Sequence, residues 1–160
     1  MDGSFSEPAF DVTVQRETFE NVAPDLPPLL SDFWSDVARD QALPTLDVNY
    51  DMYLNIDRRG ALRVYTARWR GELVGVLLFF VSPSLHHKST IWATSDVFWL
   101  RPDARKPFVA RRMLRFAEAG LKAEGVHTIR FGEKTARPAL GRLLEAMSFE
   151  AVEIIYHKVL

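Results

Sequence analysis

Cysteine is missing from this 160-residue sequence. Disulfide bonds, thiolate nucleophiles and cysteine-ligated zinc are therefore excluded. Histidine offers no replacement, because the adjacent His86 and His87 would reach one metal ion awkwardly and no His-x-x-x-His pattern occurs. We expect no metal site. The lack of cysteine is compatible with the reducing cytoplasm without demonstrating that location.

Long apolar runs and an excess of one charge are also missing. The longest apolar stretch, residues 73–81, is shorter than the roughly 18 residues that a membrane span needs, so no membrane association is expected. With 20 Lys and Arg against 21 Asp and Glu, the net charge of -1 gives no reason to expect nucleic-acid binding.

Residues 1–9 lack the basic region of a signal peptide and are expected to be a disordered lead-in. Residues 10–160 are predicted to form one domain.

Hydrophobic periodicity predicts a mixed order of strands and helices. Strands are predicted over residues 10–15, 62–69, 73–81, 89–100, 126–131 and 149–160. Helices are predicted over residues 29–37, 108–124 and 137–147. Residues 21–28 are loop or a helix start, and residues 42–57 are ambiguous but fit a short helix flanked by loops.

This order indicates a mixed α/β (α+β) fold built around one sheet. The Arg70-Gly71-Glu72 turn favours a hairpin between the second and third strands, so most of the sheet is expected to be antiparallel. The strand–helix–strand unit over residues 89–131 should be a right-handed parallel crossover.

The junction at residues 100–114 carries the clearest chemical signal. A tight basic loop connects a strand to the longest helix, and the first-turn N–H groups of a helix attract anions. Arg105, Lys106, Arg111 and Arg112 add positive charge there. A phosphate site is one interpretation, and an ordinary connection with a solvated basic helix face is the other.

One stretch resembles a known family. Asp96-Val-Phe-Trp-Leu-Arg-Pro-Asp-Ala-Arg105-Lys-Pro-Phe-Val-Ala110-Arg-Arg-Met-Leu114 is similar to motif A of the GNAT superfamily of N-acetyltransferases. The resemblance extends from about residue 53 to residue 160, and Met147-Ser-Phe149-Glu resembles the Leu-Gly-Phe of that family. Residues 87–96 and 156–160 are more specifically similar to GNAT proteins encoded by tailed bacteriophages.

The resemblance implies a GNAT-like fold and acetyl-coenzyme A as cosubstrate. It assigns the pantetheine arm to backbone groups of Phe98 and Leu100. It assigns the pyrophosphate to the loop and helix start that contain Arg105, Lys106, Phe108, Val109, Ala110 and Arg111.

The loop departs from the family pattern at three positions. Phe108 replaces the central glycine, Lys106 stands where glycine is common, and Pro107 has no N–H to donate. Ala110 alone fits its small-residue position.

Asp96 is the candidate general base. By strand alternation it shares a face with Trp92, Thr94 and Phe98. A carboxylate among aromatic rings is expected either to find a partner or to favour its neutral form. The resemblance places it where several GNAT enzymes carry the acidic residue that deprotonates the amine. The alternative is a structural carboxylate that pairs with an arginine or caps a loop.

The general acid is less well defined. The usual tyrosine of the family corresponds to Leu144, so Tyr156 is the substitute candidate, and its alternative is a half-buried tyrosine of the sheet. Glu133 and Thr135 are expected either to form a second cofactor wall or to cap the helix that contains Pro138.

The resulting hypothesis is direct acetyl transfer from acetyl-coenzyme A to an amine in a ternary complex. The alternative is a non-catalytic GNAT-like module that binds or inhibits a host protein. The acceptor stays open between a small amine, an antibiotic, a peptide N-terminus and a protein lysine, and so does the formation of a homodimer.

Overall fold

The computed structural model describes residues 11–37, 45–134 and 139–158. Its strands are β1 (Thr13–Glu17), β2 (Leu62–Trp69), β3 (Glu72–Pro83), β4 (Ile91–Leu100) and β5 (Thr128–Arg130). Its α-helices are α1 (Phe19–Val22), α2 (Leu26–Val37), α3 (Tyr50–Arg58), α4 (Pro107–Ala123) and α5 (Ala139–Glu145). Short 3-10 turns lie at Ala23–Asp25 and Pro102–Ala104.

The strands form one sheet in the order β1-β2-β3-β4-β5 over the described residues. The first three pairings are antiparallel, and β4 pairs with β5 in parallel. One face of the sheet packs against α1, α2 and α3, and the other face packs against α4 and α5. The predicted mixed α/β fold is therefore confirmed.

The β2–β3 hairpin closes through a two-residue loop. Trp69 pairs with Glu72, and the intervening Arg70 and Gly71 have φ values of 52° and 84°. Positive φ at both positions is the requirement of a type I′ turn, whose twist matches that of the flanking strands. Glycine meets this requirement freely, whereas arginine adopts it at a cost.

Helix α4 begins and ends where the local signals predict. Pro107 occupies the first helical position, where a missing N–H costs no hydrogen bond. At the other end Gly125 has φ 82°, its N–H donates to the carbonyl of Lys122, and the N–H of Val126 donates to the carbonyl of Leu121. These two bonds are the Schellman motif that ends many helices.

Several predicted boundaries are displaced. The first strand covers Thr13–Glu17 and not residues 10–15, because its pairing with β2 reaches only these positions. The ambiguous segment, residues 42–57, holds all but the last residue of the nine-residue helix α3, which Asn49 caps by accepting from the N–H of Met52. Residues 1–10, 38–44, 135–138 and 159–160 lie outside the described residues, and with them the lead-in, Thr135 and Pro138.

The prediction of a final strand over residues 149–160 is wrong for residues 149–158, which form no strand. The alternating pattern there has no surface to bury against, since Val152, Ile154 and Ile155 are all exposed. Alternation produces a strand only when a neighbouring strand accepts its backbone hydrogen bonds. The short β5 pairs with β4 over three positions and forms no second ladder among the described residues.

A charged cluster connects the first strand to the second. The carboxylate of Glu17 accepts from Thr66 Oγ1 at 2.6 Å and from Arg68 Nε at 2.8 Å, and Arg68 also reaches Asp25 at 3.0 Å. The side chains of Glu17 and Arg68 are only 12% and 16% exposed. Burial raises the pKa of Glu17, but the hydrogen bonds and the positive charge of Arg68 outweigh it, so the pKa lies below its usual value.

We predict that Glu17→Gln lowers the free energy of unfolding by about 2 kcal/mol at neutral pH, because it removes charge-assisted hydrogen bonds from a nearly buried arginine. A lowered native pKa stabilises the fold above the unfolded value of 4.5 and loses this contribution as the pH falls through the native pKa. Urea unfolding between neutral and acidic pH measures the difference. The exposed Glu20→Gln is the control, and a deficit in Glu17→Gln that persists at the acid end would contradict the assignment.

We also predict that Arg70→Asn stabilises the hairpin. Asparagine tolerates positive φ better than arginine, and we expect a net gain of roughly 0.5 kcal/mol after loss of the stacking of Arg70 on Trp69. The matched variant Arg70→Ala loses the stacking without relieving the turn and should be destabilised. Thermal unfolding should show a higher melting temperature for Arg70→Asn and a lower one for Arg70→Ala than for the parent protein.

Candidate active site

An opening between β4 and β5 marks the candidate site. The two strands pair only at Trp92–Thr128, Ala93–Ile129 and Thr94–Arg130. Beyond these pairs, the edge of β4 that faces away from β3 has no strand partner among the described residues. Phe98 and Leu100, the residues expected to hold the pantetheine arm through their backbones, lie on this edge.

A β-bulge lies where the opening begins. In the pairing of β4 with β3, Ser95 lies opposite Phe79 and Val97 lies opposite Leu78, so Asp96 has no counterpart. An extra residue of this kind locally disrupts the ladder and redirects its own side chain.

The bulge changes which residues share a face. Before it, Thr94 pairs with Phe80 on the side of α1–α3; after it, Val97 lies on that same side and Phe98 packs on the α4 side. Asp96 also faces α3, because it contacts Tyr53. The prediction that Asp96 shares a face with Trp92 and Thr94 is thus confirmed, but Phe98 lies on the opposite face because the extra residue shifts the alternation.

Tyr53 of α3 holds the Asp96 carboxylate. Its hydroxyl donates a hydrogen bond to Asp96 Oδ2. The phenol ring lies between Phe19, with centroids 4.9 Å apart, and Phe80, with centroids 6.1 Å apart, and both ring pairs are within 15° of parallel. Burial, then the hydrogen bond to Asp96 and its negative charge, raise the pKa of Tyr53, so the hydroxyl stays neutral and acts as a donor.

Asp96 is nevertheless exposed and not enclosed by aromatic rings. The expected partner exists, but it is a tyrosine rather than an arginine. One carboxylate oxygen is oriented by Tyr53 while the residue faces solvent, an arrangement in which the carboxylate can accept a proton from an approaching ammonium group.

The loop before α4 is stabilised by Arg105. Its Nε donates to the carbonyl of Leu100 at 2.9 Å, its Nη2 lies 3.3 Å from Asp36, and its guanidinium lies over the Trp99 ring at 4.1 Å. Arg105 therefore connects this loop to α2 and to β4, and its charge is shared with Asp36.

The backbone of this loop is already engaged. The N–H groups of Arg105, Lys106, Val109 and Ala110 donate to carbonyls of the same loop, and that of Phe108 is not used in this way among the described contacts. Since Pro107 has no N–H, one amide of the segment is left for an anion. The expected wrapping of a pyrophosphate by several backbone amides is thus not supported by this geometry.

Exposed arginine side chains at the start of α4 supply positive charge in place of free backbone amides. Phe108 is 56% exposed, so its side chain is not buried in the core. An open groove on α4 is lined by Pro107, Phe108, Arg111, Arg112 and Arg115. Val109, by contrast, is buried in the core, so only its backbone could face a ligand.

The other residues considered from the sequence make no described contact with Asp96. Tyr156 is 91% exposed in the segment that follows α5, so it is not a half-buried residue of the sheet. Leu144 is buried in the core. Glu133 accepts from the N–H of Gly141 at 2.5 Å, which is the helix-capping alternative rather than a cofactor wall. His86 and His87 are exposed in the loop between β3 and β4.

Two residues of this region were not identified from the sequence. Tyr53 lies 43 positions from Asp96, and nothing local connects them. Arg130 of β5 lies over the Trp92 ring at 4.4 Å on the same face. An available signal was Asp96 itself, since aspartate is rare inside strands and a bulge is one way to accommodate it.

Within the described ranges, no group of three or more acidic or histidine side chains is arranged to hold a metal ion. No α-helix among those residues combines the length and apolarity of a membrane span.

Solved structures share this architecture. A ribosomal-protein-alanine N-acetyltransferase from Brucella melitensis biovar Abortus 2308 is similar with a TM-score of 0.69 and 15% identity, covering 93% of this chain and 98% of that one. A transcriptional regulator from Bacillus halodurans C-125 gives a TM-score of 0.77 and 22% identity, covering 94% and 100%. A predicted acetyltransferase from Clostridium acetobutylicum, solved with acetyl-CoA, gives 0.69 and 13%, covering 93% and 96%.

No protein-family model and no curated protein matches the sequence. At these identities the likeness concerns the fold, and it extends over nearly the whole chain. The chain therefore shares the fold of these acetyltransferases, with the parallel β4–β5 pair beside the candidate site.

Proposed function

We propose that the protein is an acetyltransferase that moves an acetyl group from acetyl-CoA to an amine by direct attack. The observation that carries this proposal is Asp96, placed by a bulge beside the opening between β4 and β5 and oriented by Tyr53. Acetyl-CoA supplies an activated thioester carbonyl. The amine must lose a proton before its nitrogen has a lone pair to attack that carbon.

Asp96 takes this proton in the proposed mechanism. Tyr53 is a positioning residue, because its neutral hydroxyl fixes one carboxylate oxygen of the exposed Asp96. The aromatic stack around Tyr53 keeps this orientation without further hydrogen bonds. Tyr156 stays the predicted donor to the leaving thiolate, although the described contacts do not bring it to Asp96.

The cosubstrate would be held by two different parts of the chain. The open edge of β4 at Phe98 and Leu100 suits the extended pantetheine arm, since this edge has no strand partner among the described residues. The carbonyl of Leu100 accepts from Arg105 Nε, so the arm would have to share or displace that contact. Arg111 and Arg112 suit the phosphates through side-chain charge, because most amides of the loop are engaged.

The engaged loop favours one competing function, a non-catalytic module that binds a host protein. It predicts no affinity for acetyl-CoA, so isothermal titration calorimetry separates the two functions. The subgroup encoded by tailed bacteriophages and the cytoplasmic location are inferences that rest on the sequence alone.

We predict that acetyl-CoA raises the melting temperature by ligand linkage and that Arg111→Glu removes the shift. Arg111 is exposed on the first turns of α4, so its replacement should leave the unliganded melting temperature unchanged. The control is Lys122→Glu, which makes the same charge change in the last turn of α4. Absence of a shift in the parent protein at millimolar acetyl-CoA would support the binding module.

We further predict that Asp96→Asn lowers kcat by about a hundredfold, the usual share of general-base catalysis, with little change in the KM for acetyl-CoA. Tyr53→Phe retains the ring stack and should lower kcat by about tenfold, since it removes only the orienting hydrogen bond. Steady-state kinetics with an acceptor found by mass spectrometry of acetylated products measures both effects. Turnover that is unchanged in Asp96→Asn would make this carboxylate structural.

A further inference from the structure

We propose that Arg130 binds a carboxylate of the acceptor, so that the acceptor is an amine that also carries a carboxylate group. This inference rests on the proposed function, since it assigns a second contact to the same acceptor. It is carried by the position, the packing and the present partner of Arg130.

The position of Arg130 follows from strand register. Arg130 pairs with Thr94, and Asp96 lies two residues further along β4 on the same face. Strand spacing and rise put the Cβ atoms of Arg130 and Asp96 roughly 8 Å apart. A negative and a positive group thus stand side by side on the open part of one sheet face, a pattern that matches a molecule with an ammonium and a carboxylate.

The packing of Arg130 prepares it for a planar anion. Its guanidinium lies 4.4 Å from the centre of the Trp92 ring, and the side chain remains 40% exposed. Stacking fixes the plane of the guanidinium while leaving its N–H groups on the rim free to donate. A guanidinium held in this way binds a carboxylate through paired hydrogen bonds, which a lysine cannot reproduce.

The present partner of Arg130 is itself a carboxylate. Glu153 Oε2 lies 3.2 Å from Arg130 Nη2, and the Glu153 side chain is 61% exposed. Glu153 belongs to residues 149–158, which have no regular structure, and its apolar neighbours Val152, Ile154 and Ile155 are exposed. An exposed ion pair of this kind contributes little to stability, so an acceptor carboxylate can replace Glu153 at little cost.

Substitution of Arg130 and substitution of Glu153 are therefore expected to change the affinity for the acceptor in opposite directions. Arg130→Gln removes the carboxylate contact, and Glu153→Gln removes its internal competitor. A merely structural salt bridge would instead give the same effect on either side, because both variants break it equally.

The test compares β-alanine and γ-aminobutyrate with amino alcohols of the same chain length. In the parent protein, kcat/KM should be at least tenfold higher for the amino acids. Arg130→Gln should abolish this preference through KM, and Arg130→Lys should restore it only in part. Glu153→Gln should lower the KM for the amino acids and leave the amino alcohols unaffected. Lys122→Gln, which removes a positive charge at the far end of α4, is the control and should keep the preference.

A parent protein without preference, or a preference that survives Arg130→Gln, overturns the proposal. Calorimetric titration with γ-aminobutyrate tests it independently of turnover. Binding that requires Arg130 supports the carboxylate site even where no amine is acetylated, an outcome that defeats the proposed function alone. Where no amine is acetylated, absence of binding in the parent protein defeats the carboxylate site as well.

Discussion

An extra residue in β4 sets the geometry on which the candidate site depends. Asp96 has no counterpart on β3, so the alternation of side chains between the two faces shifts by one residue there. Val97 and Phe98 each lie on the face opposite to the one that regular alternation would give them. The parallel pairing with β5 ends at Thr94, just before the bulge. The opening of the sheet and the direction of the Asp96 carboxylate thus arise at one place, and a sheet without this extra residue would turn every later side chain of β4 to the other face.

Local chemistry explains which parts of the fold could be predicted from the sequence. Helix α4 carries its own signals, with Pro107 at its start and Gly125 after its end, and the hairpin turn carries its own in Gly71. The contact of Tyr53 with Asp96 joins a helix to a strand 43 residues away, and no periodicity encodes it. The predicted final strand was wrong for a different reason. Its residues alternate as in a strand, but no neighbouring strand among the described residues pairs with them. The bulge could be predicted only in part. An aspartate inside a strand indicates an irregularity, but it does not show which face the side chains after it will take.

The loop before α4 shows how a resemblance can match in sequence and differ in chemistry. The family pattern uses glycines so that backbone amides can approach a phosphate, whereas here four amides donate to carbonyls of the same segment. Arg105, which the resemblance assigns to the pyrophosphate loop, is held by Asp36, Trp99 and the carbonyl of Leu100. Any anion at this helix start would depend on flexible side-chain charge in place of fixed dipoles, and such charge is more strongly screened by salt.

The fold by itself does not decide between catalysis and binding, since one similar structure is a transcriptional regulator and others are acetyltransferases. The argument for chemistry therefore rests on how individual groups are held. A raised pKa keeps Tyr53 protonated, so its hydroxyl can only donate toward Asp96, and the aromatic stack fixes where that donor points. One oxygen of Asp96 accepts from Tyr53, and the residue itself is exposed to solvent. A group fixed but not enclosed in this way suits a reaction in which the partner arrives, gives up a proton and leaves.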